Sequence, residues 1–170
     1  MKHLDKIANL AVIVGVIVFL VLVYRGEFGR QMAPESAPQN IVGETVSLPG
    51  IKLPRDRNTL ILAVSATCHF CKESVPFYKQ IEKDSAGRLN IVAVLPQPMD
   101  EAQKFLRDEG LETNQVVSAR LDVIGVRGTP TVLLVDANGK VKHAWKGTLD
   151  EKGQQDLLAI ALPGLSLIHI

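Results

Sequence analysis

Thr59-Leu60-Ile61-Leu62-Ala63-Val64-Ser65-Ala66-Thr67-Cys68-His69-Phe70-Cys71 is the stretch on which the fold turns. Its first half is a continuous apolar run of the kind that forms a buried central strand. The residues after it, Lys72 to Lys83, are amphipathic at helical spacing, with Val75, Tyr78 and Ile81 on one stripe. The two cysteines, the only two in 170 residues, therefore stand where a strand stops and a helix starts. Free backbone N–H groups and the positive end of the helix dipole stabilise a thiolate there, most strongly at the first cysteine. Two cysteines at this spacing can cycle between dithiol and disulfide, supply half of a metal site, or form an inert structural pair. The strand–helix junction favours the first.

Composition narrows the setting. The chain has length for one domain of ordinary size, and 46% of its residues are hydrophobic. A net charge of +1, from 19 basic and 18 acidic residues, recommends no nucleic-acid partner. The positive mean hydropathy owes much to Ile7–Val23, 17 residues that are apolar except for Asn9. As a helix this run spans about 26 Å, and Leu4 and Tyr24 extend it towards the ~30 Å of a bilayer core. It is longer than the usual signal-peptide core, and Val21-Leu22-Val23-Tyr24 offers no small-x-small cleavage site. Residues 1–25 are accordingly read as a cytoplasmic tip and an uncleaved transmembrane anchor. Lys2 and Lys6 before the span and Arg25 and Arg30 after it leave orientation nearly undecided by charge. A cycling pair with no other thiol fits an oxidising compartment, which places the domain outside the cytoplasm.

Residues 26–43, with Pro34, Pro38 and three glycines, are read as a flexible linker, with the fold starting near Ile41 and a domain over 44–162. Glu44–Leu48, a Pro49-Gly50 turn and Ile51–Leu53 read as a small hairpin. Leu89–Leu95 is a second buried strand, ended by Pro96 and Pro98. A helix opens near Asp100–Gln103 with Ala102, Phe105 and Leu106 inward and Gly110 as its stop. Gln115–Val117 adds a short strand, and Leu121–Val126 a helical turn or loop. Thr131–Val135, a turn over Asp136–Gly139 and Val141–Trp145 form a hairpin. Asp150 caps a last helix through Leu162, with Leu157, Leu158 and Ala161 inward. This order implies an α/β fold, a mixed sheet with helices on both faces. Leu165–Ile170 follows Pro163-Gly164 as an abrupt apolar hexapeptide. It resembles a translated sequencing-library end and is read as a non-native tail over 165–170.

A strand–CxxC–helix, Pro76 five residues after Cys71, and Gly128-Thr129-Pro130-Thr131 before a strand and turn together resemble the thioredoxin-like proteins. With the anchor and the entrance segment, the chain is most similar to their membrane-tethered bacterial branch, involved in thiol reduction and cytochrome c maturation. The resemblance implies a thioredoxin fold and a protein thiol–disulfide oxidoreductase on the outer side of a bacterial cytoplasmic membrane, reduction favoured weakly over oxidation. It also implies disulfide-bearing protein substrates, a membrane electron donor or acceptor, and no cofactor. Cys68 would be the exposed nucleophile and Cys71 the resolving thiol. Thr129 would pair with substrate beside a cis Pro130.

Three positions depart from the family pattern. Ala66-Thr67 stand where a tryptophan is usual, Leu62 where thioredoxins bury an acid, and Ser74 where the cytochrome branch often has a glutamate. Glu73 is then the candidate proton acceptor for Cys71, or merely complements the helix dipole. His69 and Phe70 set the redox poise, an imidazole near the Cys68 thiolate lowering its pKa; a solvated His69 of little effect is the alternative. The rival reading is a thioredoxin-fold copper-binding or metal-delivery protein using both thiolates and His143. Copper-delivery proteins of this fold space their cysteines by three residues, and no metal site is expected here.

Overall fold

The computed structural model describes residues 41–163, together with Val16; the rest of the anchor Ile7–Val23, most of the linker and the tail lie outside the described residues. Among the described residues no helix is long and apolar enough to cross a membrane.

The domain runs β1 (Thr59–Ala63), α1 (His69–Ser85), β2 (Asn90–Leu95), α2 (Met99–Asp108), β3 (Gln115–Ser118), a 3-10 turn (Leu121–Ile124), β4 (Thr131–Val135), β5 (Val141–Lys146) and α3 (Glu151–Ala161). The sheet order is β3-β2-β1-β4-β5. β1 pairs in parallel with β2 and β2 with β3, whereas β1–β4 and β4–β5 are antiparallel. The three apolar runs, β1, β2 and β4, take the inner positions and are buried along their whole length. The parallel strands β1–β3 end at one edge of the sheet, where β4 starts, because Ala63 pairs with Thr131. The CxxC segment and the Thr129-Pro130 loop thereby meet.

Two layers of core cover the sheet. On one face Leu60, Leu62, Ala93, Leu95, Val132 and Leu134 pack against all three α-helices, through Cys71, Tyr78, Ile81, Phe105, Leu106, Leu157 and Ala161. On the other, Ile61, Ala63, Val92, Val94, Leu133 and Val135 meet Ile41, Val46, Leu48, Ile124 and Val126. The expectation of helices on both faces is thus corrected: among the described residues, one face carries every α-helix and the other carries the 3-10 turn and the entrance segment. The steps β1→β2→β3 run in one direction, and right-handed connections of one direction put both crossover helices on the same side. Each fully buried leucine, such as Leu60 or Leu157, contributes about 1.5–3 kcal/mol.

The expected hairpin over 44–53 is also corrected. A turn does join Leu48 to Ile51, whose N–H donates to the Leu48 carbonyl. Its arms, however, do not pair with one another. Thr45 instead bridges to Lys140, and the Val46 N–H donates to Gly139 O at 2.8 Å. This places Val46 and Leu48 against Val141 and Val135 in the second core layer, whereas an isolated two-stranded hairpin is marginal in water. Gly139 permits the approach: its φ is +79°, and a Cβ there would lie 2.5 Å from Val46 O. Ile41 is buried and the Gly43 N–H donates to Val141 O, so ordered backbone begins within the span read as linker.

The remaining elements fall where the sequence places them. α1 starts three residues before Lys72, and Pro76 sits on its exposed side. Asp136 Oδ1 accepts from Asn138 N and Lys140 N to close the β4–β5 turn. Asp150 Oδ1 caps α3 by accepting from Gly153 N at 2.8 Å. Leu157 and Ala161 are buried there, and Leu158 is half-buried.

Candidate redox site

Cys68 is the N-cap of α1, with extended backbone (φ −88°, ψ 115°). At that position an acceptor side chain ordinarily takes an N–H of the first turn. Here the acceptor is sulfur: Cys68 Sγ receives the Cys71 N–H at 3.2 Å. An ionised sulfur accepts this bond better than a thiol, so the cap itself favours thiolate. As a thiol, Cys68 also donates to the Thr129 carbonyl at 3.5 Å. Burial works against charge on Cys68, but hydrogen bonds from the Cys71 thiol, the Thr129 side chain and the Cys71 and Phe70 amides outweigh it, and its pKa falls below the ordinary thiol value.

Cys71 lies one turn further in and has no solvent exposure. Burial, reinforced by hydrogen bonding and charge from Cys68, pushes its thiol up to about 12 against opposing hydrogen bonds from the Ser65 backbone and the Thr129 side chain. Two adjacent thiols are thus driven apart in acidity, and both are free in this structure. Beside them the Thr129–Pro130 peptide is cis, as the resemblance implies. Thr131 Oγ1 holds this loop by donating to Gly128 O at 2.7 Å, and Gly147 N by donating to Pro130 O at 2.8 Å.

The dipeptide and its neighbour, read as tuning the redox pair, are all exposed. The His69 ring is 78% exposed, and its Nε2 lies 3.1 Å from Glu73 Oε1, an i,i+4 pair on the solvent side of α1. It is not among the groups that lower the Cys68 pKa. Phe70 contributes its backbone amide, while its ring is 58% exposed. Glu73 is paired to His69. Helix geometry explains this: positions i and i+4 share a face, so Glu73 follows His69 outward, whereas Ser74 and Tyr78 follow Cys71 inward. Ser74 Oγ donates to Phe70 O at 2.9 Å. Tyr78, 2% exposed, has its hydroxyl pKa raised, chiefly by burial, with a hydrogen bond from Ser74 opposing.

His143 is not brought to the cysteines. It sits on β5 three residues before Lys146, which pairs with Thr131, and so lies roughly 10 Å down the strand from the site. Its ring stacks on Trp145, centroids 5.7 Å apart, and Trp145 Nε1 donates to Asp156 Oδ2. Among the described residues no three His, Cys, Asp or Glu side chains are grouped to hold a metal ion.

One side chain at the site carries no recognised motif. Gln97, between Pro96 and Pro98 just beyond β2, accepts from Ala66 N at 3.3 Å and donates to Ser65 Oγ at 2.8 Å. The only hint in the sequence was a polar residue at the carboxyl end of a buried parallel strand, where α/β sheets place their ligands.

The profile of the thioredoxin-like domain matches residues 51–160, well over half of the chain. The chain belongs to the thioredoxin-like family. A thioredoxin-like protein of Bacillus subtilis, YneN, is 22% identical over 134 residues, covering 75% of this chain and 77% of that protein. Among solved structures, a putative thiol:disulfide interchange protein DsbE from Chlorobium tepidum is 25% identical, with a TM-score of 0.56, over 69% of this chain and 97% of its own. A thiol-disulfide isomerase from Corynebacterium glutamicum shares the fold at a TM-score of 0.55 and 17% identity, over 72% and 92% of the two chains. In this thioredoxin-like chain the family's cysteine pair and cis-proline loop are both assembled at the carboxyl end of β1.

Proposed function

We propose that the chain is a protein thiol–disulfide oxidoreductase in which Cys68 attacks and Cys71 resolves. The observation that carries this reading is the contrast between the two sulfurs: Cys68 is partly exposed and capped by the Cys71 N–H, and Cys71 is buried with its pKa raised. Cys68 thiolate attacks one sulfur of a substrate disulfide, forming a mixed disulfide and releasing the first substrate sulfur, which takes up a proton. Cys71 loses its proton and attacks Cys68 Sγ, releasing the second substrate sulfur. The chain ends as a disulfide and the substrate as two thiols, a transfer of two electrons and two protons. Lowering the Cys71 pKa is the harder half of the cycle. Burial is the chief cause that keeps Cys71 protonated, and the smaller contributions of Cys68, its hydrogen bond and its thiolate charge, are relieved once Cys68 is in the mixed disulfide. An extended substrate strand is received beside Thr129 and Pro130.

Proteins bearing disulfides are the substrates, in line with the thiol:disulfide interchange protein among the similar structures; reduction is favoured weakly over oxidation as the direction of transfer. The apolar run Ile7–Val23 supports tethering to a bacterial cytoplasmic membrane, domain outward, with a membrane protein as electron partner and cytochrome c maturation as the setting. The test uses the full chain in detergent: reduction of a protein disulfide by the dithiol form, with the potential of the pair measured against glutathione. Cys71→Ser is expected to accumulate mixed disulfides with substrate. No transfer in either direction and no trapped complex would overturn the reading.

A further inference from the structure

Resting on that reading, we infer that Gln97 is a positioning residue of the redox site: its carboxamide clamps the turn that delivers Cys68 to the head of α1. The turn runs from Ser65 to Cys68, closed by Cys68 N donating to Ser65 O at 3.1 Å. Both ends of the Gln97 amide are used on it. Oε1 accepts from Ala66 N, and Nε2 donates to Ser65 Oγ. Ser65 Oγ in turn shares a hydrogen bond of 3.2 Å with Thr67 Oγ1, so the first three residues of the turn are tied to one side chain.

Gln97 is itself held. Pro96 and Pro98 fix the backbone dihedrals on either side, and Ser118 Oγ donates to the Gln97 carbonyl at 2.6 Å. The clamp therefore runs from the end of β3 through the end of β2 to the end of β1. Its consequence lies at sulfur. Cys68 Sγ is a useful cap only while it stays within reach of the Cys71 and Phe70 amides, and the Ser65 backbone also hydrogen-bonds Cys71. A loosened turn lets Sγ drift from those donors, and its thiolate loses their stabilisation.

The test compares Gln97→Met, which keeps size but neither hydrogen bond, with Ser65→Ala, which removes the Nε2 acceptor and the Thr67 Oγ1 partner but leaves the Ala66 N–H on Oε1. Both are made in the full chain carrying Cys71→Ser, so that Cys68 alone reacts. Iodoacetamide alkylation against pH reports the Cys68 pKa, hydrogen exchange reports the Ala66 amide, and thermal unfolding reports the fold. Gln97→Met is expected to raise the Cys68 pKa by about half to one unit, a roughly three- to tenfold loss of thiolate below it, with faster exchange at Ala66. Ser65→Ala should shift it less, in the same direction. An unmoved alkylation profile in Gln97→Met, with or without a lower melting temperature, would overturn the inference and leave Gln97 a brace of the fold. If Gln97→Met does not fold, an unmoved profile in Ser65→Ala overturns it. Disulfide reduction by the unaltered chain, run alongside, tests the oxidoreductase reading separately.

Discussion

Cys68→Ser leaves Cys71 as the sole thiol, and its reactivity measures how far the fold suppresses the resolving sulfur. Each pH unit below a thiol's pKa lowers the thiolate tenfold, so a pKa near 12 instead of ~8.5 leaves roughly 3,000-fold less thiolate at neutral pH. A more basic thiolate is also more nucleophilic, with a Brønsted slope of about 0.4–0.5, which returns a factor of about 40. The balance is alkylation on the order of a hundredfold slower than a free cysteine. Removing the Cys68 sulfur relieves its hydrogen bond and charge but not burial, the first cause of the shift, so at least about tenfold should survive. Cys71→Ser gives the opposite picture: the serine hydroxyl takes over as donor from the Cys71 thiol and the first-turn amides remain, so Cys68 should alkylate faster than a free thiol at pH 7, with a midpoint below ~8.5. The assay is iodoacetamide labelling against pH on both single variants, with a urea-unfolded control. Equal rates in the two folded variants, or midpoints matching the unfolded control, would refute the division of roles.

Further outcomes follow from the same geometry. Under reducing conditions urea unfolding should show stability falling between about pH 8.5 and 10. Unfolded Cys71 ionises in that window while the folded thiol, at about 12, keeps its proton, giving a slope of up to ~1.4 kcal/mol per unit that Cys71→Ala removes. Cys68 works the other way: its lowered folded pKa contributes stability present above the unfolded value and lost as pH falls through the folded one. Glu73→Gln breaks only the exposed pair with His69, so it should change stability by less than about 0.5 kcal/mol and, in the Cys68→Ser background, leave the Cys71 alkylation profile unmoved; a shifted profile would identify Glu73 as the proton acceptor. Asp150→Ala removes the α3 cap to Gly153 N and should cost about 0.5–2 kcal/mol in urea unfolding.

Much of this protein is fixed locally and could be read from order alone. β1, β2 and β4 are apolar runs with one buried answer each, and the stripe Val75, Tyr78, Ile81 faces the core because helical period leaves it nowhere else. Asp150 capped the helix it was expected to cap. The cysteines too were legible, since a CxxC between a strand and a helix meets the first-turn amides whatever surrounds it. What depended on distance along the chain was not. Thr45 pairs with Lys140, and no local pattern tells one partner strand from another when both would satisfy the alternation. The side of the sheet taken by each helix follows from the direction of successive crossovers, which is topology rather than composition. Glu73 and Ser74 are neighbours in sequence, but one residue turns a helix by about 100°, which sends the charge to His69 and solvent and the hydroxyl inward. The partners of Gln97 were hidden because they too depend on distance along the chain. They lie 31 and 32 residues away, and only the parallel pairing of β1 with β2 brings their ends together, setting a lone amide against the turn that carries the reactive sulfur.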